Sequence, residues 1–215
     1  MKLIGIFGGT FDPVHFGHLR PVQEVYQDLM LDELLWIPAA VPPHRDEPQV
    51  SVKHRLSMLQ LALQANPAFK IDTRELERSG PSYMVDTLVS LRQDYEDASL
   101  ALIMGQDAFN GLPQWHRWQS ILELAHIIVC TRPGSEFSST GELMTVLSQG
   151  RVENSQQLKS APAGLIYTHP VTQLPISATQ IRRLCEQGKS PRYLMPERVC
   201  EYIQEHNLYE TQSGK

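Results

Sequence analysis

The chain has little cysteine, no long apolar run and no excess of positive charge. Its 215 residues include three cysteines, Cys130, Cys185 and Cys200, an odd number without metal-ligand spacing. That excludes a disulfide scaffold or a zinc framework and suits buried thiols in a reducing compartment. No apolar stretch approaches the ~20 residues of a membrane span, and Met1-Lys2-Leu3 leads directly into a strand-like run without a signal-peptide pattern. The expectation is a cytoplasmic protein with no membrane partner. A formal net charge of −5 provides no basic field for nucleic acid, so any positive charge must be local to a site. Internal repeats and long low-complexity tracts are also absent, and one domain spanning 1–215 is expected.

Against those absences stands one dense stretch. Leu3-Ile4-Gly5-Ile6-Phe7 is apolar and partly β-branched, the pattern of a strand buried on both faces. Gly8 and Gly9 follow, then Thr10-Phe11-Asp12-Pro13-Val14-His15-Phe16-Gly17-His18. Leu19, Val22, Tyr26, Leu29 and Met30 then recur at helical spacing. Two glycines at a strand's carboxyl end let backbone approach a ligand, and the N–H groups of the following helix favour an anion. His15 and His18 are three apart, so a helix starting near Phe16 turns both imidazoles to one site. Gly17 leaves room for phosphate between them, and Pro21 is expected near the helix start, where its missing N–H costs nothing.

Further strand-like runs occur at Leu34 to Ile37, Phe69 to Asp72, Leu100 to Met104 and Ile127 to Cys130. Helical patterns separate them: Val52 to Ala65, with Leu56, Leu59 and Leu63 on one face, and a stretch containing Val85, Leu88 and Leu91 that Ser82 could cap. This alternation predicts an α/β fold, a doubly wound Rossmann-like parallel sheet with right-handed crossovers and ligands beyond the strands' carboxyl ends. Residues 135–162 read as a helix around Leu143 to Leu147 flanked by surface loops. A second phosphate element, Pro175-Ile176-Ser177-Ala178-Thr179-Gln180-Ile181-Arg182, opens a C-terminal helical segment over 177–215. Ser177 is a candidate N-cap, and Gly188 is the stop of its first helix. Two hydroxyls at a helix start, with an arginine a turn later, can receive outer phosphates. No Walker-type Gly-Lys-Ser/Thr is present, so γ-phosphoryl transfer is not indicated.

The first stretch, with its His-x-Gly-His element, and the Ile-Ser-x-Thr-x-x-Arg at Ile176 to Arg182 together resemble the two signatures of the nucleotidyltransferase superfamily. Within it, the chain most resembles the bacterial nicotinate-nucleotide adenylyltransferases, from Leu3 to about Tyr209. The resemblance implies attack by the phosphate of nicotinate mononucleotide on the α-phosphate of ATP, with pyrophosphate leaving. His15, His18 and Arg182 would be catalytic. Gly8, Gly9, Thr10, Phe11, Arg45, Gly105, Asp107, Ile176, Ser177 and Thr179 would bind ATP and its phosphates. His44 (of Val41-Pro42-Pro43-His44-Arg45), Tyr83, Met84, Thr87, Trp115 and Arg132 would surround the mononucleotide. Lys53 and Arg55 are weaker candidates for phosphate contact. Met84 stands where many relatives have threonine, so a hydroxyl contact is expected from Thr87 or from backbone instead. No carboxylate cage is visible, which implies Mg²⁺ held mainly by substrate phosphates and water.

Class I aminoacyl-tRNA synthetases share the His-x-Gly-His element, but the chain has no Lys-Met-Ser-Lys-Ser. Two alternatives stay open at this level. One is another small nucleotidyltransferase such as phosphopantetheine adenylyltransferase, whose first signature has threonine in place of His15. The other is a nucleotide-binding regulator without turnover. The sequence sets no oligomeric state.

Overall fold

The computed structural model describes residues 1–43, 47–131 and 141–210. Seven strands form one parallel sheet: β1 (Leu3–Gly9), β2 (Glu33–Pro38), β3 (Phe69–Ile71), β4 (Ser99–Gly105), β5 (His126–Thr131), β6 (Arg151–Val152) and β7 (Ile166–Pro170). Nine helices cover it: α1 (Phe16–Asp28), α2 (Val52–Leu63), α3 (Arg74–Glu77), α4 (Met84–Asp94), α5 (Gln106–Asn110), α6 (Gln119–Leu124), α7 (Glu142–Gly150), α8 (Ala178–Glu186) and α9 (Glu197–Glu205), among the described residues. The strand order is β3-β2-β1-β4-β5-β7-β6, so the chain reverses direction across the sheet between β1 and β4. Ligands of doubly wound folds lie at that switch, beyond the carboxyl ends of the strands.

Alternation along each central strand divides the interior into two cores. On β2, Leu34 and Trp36 face one core while Leu35 and Ile37 face the other; on β4, Ala101 and Ile103 oppose Leu100, Leu102 and Met104. The first core packs under α1, α2, α8 and α9 through Val22, Val25, Met58, Leu59, Ile181, Val199 and Ile203. The second packs under α4, α5, α6 and α7 through Val85, Leu88, Phe109, Ile121 and Leu143. A side chain fully buried in this way contributes about 1.5–3 kcal/mol.

The doubly wound parallel sheet and the five strand segments agree with the sequence pattern. The β6–β7 edge was not legible, because β6 has two residues and β7 buries only Ile166 fully. Residues 141–162 hold the expected helix around Leu143 to Leu147 as α7, followed by β6 and a 3₁₀ turn at Ser155–Lys159 where only a loop was expected. Met30 is no part of the helical face: α1 stops at Asp28, and Met30 has φ 50° and is exposed. Pro21 lies in the second turn of α1, not the first, and so removes the bond that would run to Gly17. Ser82 does not cap α4; its Oγ accepts from the Ala40 and Val41 N–H groups at 3.0 and 3.3 Å, joining α4 to the loop after β2.

Candidate active site

The glycine turn leaves β1 beside the switch in strand order, and the first signature is anchored there by a buried aromatic. Phe11 adopts φ 50° and is 2 % exposed, its ring 5.9 Å from Phe7 and 5.5 Å from Trp36. Driving that ring into the core offsets a backbone conformation that non-glycine residues seldom adopt. His15 is extended immediately ahead of α1, and the His15 and His18 rings stack with centroids 3.8 Å apart. His18 also meets the edge of Phe11 at 5.5 Å.

Gly17 has a second role beside the one its sequence position suggests. A Cβ there would lie 2.9 Å from the His15 ring and 2.9 Å from the Ile176 carbonyl oxygen. The missing side chain therefore brings the two signatures into contact, whatever room it also gives a ligand. From the other side, Ser177 caps α8 by accepting from the Gln180 N–H at 3.1 Å. α8 ends at Glu186, followed by Gly188 at φ 66°.

The signatures enclose a polar cavity of about 840 Å³. Thr10, Asp12, His15, Gly17, His18, Ile176, Ser177, Thr179 and Arg182 line it, together with Phe11, Pro43 and Glu47. Arg182 Nη1 donates to the Asp12 carbonyl at 2.8 Å, and its buried Nε has no hydrogen-bond partner among the described residues. His15 Nδ1 is likewise buried without such a partner, and burial pushes the His15 pKa down to about 4. His15 is therefore a neutral imidazole at pH 7, able to donate one N–H but not to supply charge.

A second, less polar cavity of about 300 Å³ adjoins the first, with Thr10 and Pro43 lining both. Gly8, Gly9, Tyr83, Met84, Asp107 and Trp115 line it. Asp107 thus stands with the aromatic residues and not with the second signature. Gly105, just ahead of α5, is outside both linings. The Met84 methyl group lies 2.6 Å from where a Gly8 Cβ would be, so Gly8 accommodates the longer side chain at this position.

Thr87 departs from the sequence expectation. It is 0 % exposed, and its hydroxyl donates to Glu75 Oε1 at 2.6 Å, behind the cavity wall. Trp115 reaches the cavity, whereas the nearby Trp118 is core. Arg55, read as a weak phosphate candidate, is 1 % exposed and donates to the carbonyls of Thr10 (2.7 Å), Ala39 (2.7 Å) and Ala40 (3.3 Å). It clamps the glycine turn to the loop after β2. His44, Arg45 and Arg132 lie outside the described residues.

Sequence reasoning missed four groups. Glu75 lines the smaller cavity while 3 % exposed, and burial pushes its carboxyl pKa up. His116 stacks on Tyr83 with centroids 4.3 Å apart. Asp12 is 5 % exposed and accepts from the Tyr209 hydroxyl at 2.6 Å and the Gln49 N–H at 2.9 Å. Asp12 stands inside the first signature and was the one a reader could have flagged; Tyr209 is 197 positions away and carries no local signal.

A parallel sheet with a hydrogen-bonding cavity over its switch point defines a nucleotide-binding α/β protein. Comparison narrows the class. The cytidylyltransferase-like family model matches residues 6–184. A Methylococcus capsulatus protein named "Probable nicotinate-nucleotide adenylyltransferase" is 49 % identical over 208 residues, covering 96 % of this chain and 99 % of its own. A Hydrogenovibrio crunogenus protein of the same name is 49 % identical over 209 residues, covering 97 % and 98 %. The solved Plasmodium falciparum nicotinic acid mononucleotide adenylyltransferase complexed with NaAD shares the fold at TM-score 0.72 and 17 % identity, covering 97 % of this chain and 98 % of that one. The chain belongs to the cytidylyltransferase-like family and, within it, to the nicotinate-nucleotide adenylyltransferases.

Proposed function

We propose that this protein joins AMP from ATP to nicotinate mononucleotide, giving the dinucleotide and pyrophosphate, a step of NAD biosynthesis. The observation that carries the reading is the pair of adjoining cavities: a polar one between the two signatures, and a less polar one beside Trp115 and Tyr83, meeting at Thr10. The relatives' names support it, as does the polar cavity's size, which suits a nucleotide triphosphate.

In this reading an oxygen of the mononucleotide phosphate attacks the α-phosphorus of ATP in line with the departing pyrophosphate. The P–O bond forms as the bond to the β-phosphate bridge breaks. A phosphate monoester with a second pKa near ~6 is mostly dianionic at neutral pH, so no protein base is required. That agrees with a site made of donors rather than of a nucleophile and base. The work left to the protein is alignment and stabilisation of charge on the phosphoryl oxygens. We assign it to His18, to a neutral His15 acting as hydrogen-bond donor, and to Arg182, whose Nε is free of protein partners among the described residues. Ser177, Thr179 and the start of α8 would take the leaving phosphates. Trp115 would offer its π face to the cationic pyridinium. Preference for the acid over the amide would come from donors facing the ring substituent.

Both Asp12 carboxylate oxygens already accept protein hydrogen bonds, and no cluster of three or more metal-ligating side chains occurs among the described residues. This fits Mg²⁺ carried by the triphosphate and water, where it would offset phosphate charge. No helix among the described residues is long and apolar enough to cross a membrane, and three buried free thiols suit our proposed cytoplasmic setting.

The test is pyrophosphate release from Mg·ATP with nicotinate mononucleotide, nicotinamide mononucleotide or phosphopantetheine as acceptor. Turnover that favours the first is expected. Preference for another acceptor would keep the chemistry and overturn the pocket assignment; silence with all three would overturn catalysis.

A further inference from the structure

Asp12 joins four separate segments of the chain. Its Oδ1 accepts from the Tyr209 hydroxyl at 2.6 Å, its Oδ2 accepts from the Gln49 N–H at 2.9 Å, and its carbonyl accepts from Arg182 Nη1 at 2.8 Å. Arg182 Nη1 is also 3.9 Å from Oδ2. The first signature, the loop after β2, the second signature and the chain's last described turn therefore converge on one residue that lines the polar cavity. A second contact ties the same regions: the Phe16 N–H, at the start of α1, donates to the Leu194 carbonyl ahead of α9 at 3.0 Å.

Tyr209 reaches this junction from an unusual backbone. It has φ 63°, as Asn207 has φ 49°, and both it and Leu208 are buried, at 7 % and 8 % exposed. A terminal turn whose only task was to cover the first core could place its ring without a buried hydroxyl. Here the hydroxyl is delivered to a carboxylate that is itself 5 % exposed, a costly pairing unless its geometry is kept.

We infer that Tyr209 is a positioning residue for nucleotidyl transfer: its hydroxyl fixes the Asp12 carboxylate and, through Asp12, the placement of Arg182 against the phosphates. It acts through Asp12 and does not itself line the cavity. With Oδ1 held by Tyr209 and Oδ2 by Gln49, the carboxylate cannot rotate toward the Arg182 guanidinium and draw it into a closer ion pair. Nη1 stays on the Asp12 carbonyl, and Nε keeps no protein partner among the described residues. Removal of the hydroxyl frees one carboxylate oxygen, which then competes with the phosphates for Arg182.

This inference rests on the transfer reaction proposed above. The experiment compares wild type, Tyr209→Phe and Tyr202→Phe in pyrophosphate release with Mg·ATP and nicotinate mononucleotide, with thermal melts of each. Tyr202, on α9, directs its hydroxyl to His54 Nδ1 at 3.0 Å, away from the cavity, and controls for loss of a phenolic hydroxyl near the C-terminus. Tyr209→Phe is expected to lower kcat about 10- to 100-fold while both KM values stay within about threefold, because small misplacements of charged groups act on the transition state. Tyr202→Phe is expected to match wild type. Unchanged kcat in Tyr209→Phe overturns the inference. So does a fall in kcat that tracks the melting temperature or KM, or a variant that fails to fold, since the hydroxyl would then be serving the fold and not the reaction. Silence from the wild type would refute the transfer reading instead, and the two failures are distinct.

Discussion

Replacing Arg55 with methionine tests the account of how the glycine turn is held. Methionine keeps most of the buried stem's volume and removes the guanidinium. In the native chain that group donates at 2.7 Å to the Thr10 and Ala39 carbonyls and at 3.3 Å to Ala40. Two well-formed bonds to a charged donor are worth roughly 1.5–3 kcal/mol each, and the substitution leaves three carbonyls on half-buried residues without that donor. Against this stands relief of a desolvated cation whose Nε has no partner among the described residues and whose pKa burial pushes down, partly countered by Asp12 and Tyr209 nearby. The balance is a net loss of about 3 kcal/mol, equivalent to roughly 6–12 °C in Tm for a chain of this size. Differential scanning calorimetry and urea unfolding at neutral pH both read it. A Tm within 2 °C of wild type would refute the clamp, because the carbonyls would then have other partners. Arg55→Lys is expected to recover only part of the loss, since one ammonium lacks the planar fork that spans the two chain segments.

Two further outcomes are expected. Gly17→Ala puts a methyl group 2.9 Å from both the His15 ring and the Ile176 carbonyl oxygen, so the signatures must separate by tenths of an ångström; pyrophosphate release should fall about 10- to 100-fold, and wild-type turnover would refute the contact. His126 is 0 % exposed, accepts the Leu165 N–H at Nδ1 (3.0 Å) and donates from Nε2 to the Ala161 carbonyl (2.9 Å), an arrangement only the neutral ring allows, and burial pushes its pKa down. Between that lowered value and the ordinary 6.5 the unfolded chain binds the proton and the native one does not, so stability is complete above 6.5 and declines as pH falls; at pH 5.5 the loss is up to ~1.4 kcal/mol, and melts of His126→Asn should show a shallower pH slope than wild type, parallel curves being the contrary result.

The sequence carried the sheet well and the site in part, and the difference is physical. Buried parallel strands announce themselves as apolar runs because both faces are covered, which is why β1, β2, β4 and β5 were legible and β7, at the thin edge against a two-residue β6, was not. The signatures were legible because their chemistry is local: a turn, a helix start, a cap. What stayed hidden depends on which polar group meets which across the fold. Ser82 has the composition of a cap but joins the loop after β2, and Thr87 has the composition of a ligand contact but bonds to Glu75. Arg55 looks like a phosphate cation and holds three carbonyls. A side chain's type says what bonds it can make, and only the packed chain selects the partner.

That selection also explains why the described part of the site has so little free positive charge. His15 is neutral, Arg55 is consumed by backbone, and Arg182 is partly engaged by the Asp12 carbonyl, so the described cavity presents directed N–H donors more than cations. A cavity of bare cations would hold ATP and pyrophosphate tightly alike, and product release would suffer. Donors fixed by buried aromatics, caps and a clamped turn instead favour the geometry in which the phosphoryl oxygens are displaced toward them, and they cost no reorganisation at the moment of transfer. Phe11 packs the first signature into the core, and the remaining rigidity is supplied from outside the signatures, by Arg55 from α2 and Tyr209 from the terminal turn. A chain that kept both signatures and lost these supports would still be expected to bind nucleotide, with turnover falling much further than affinity.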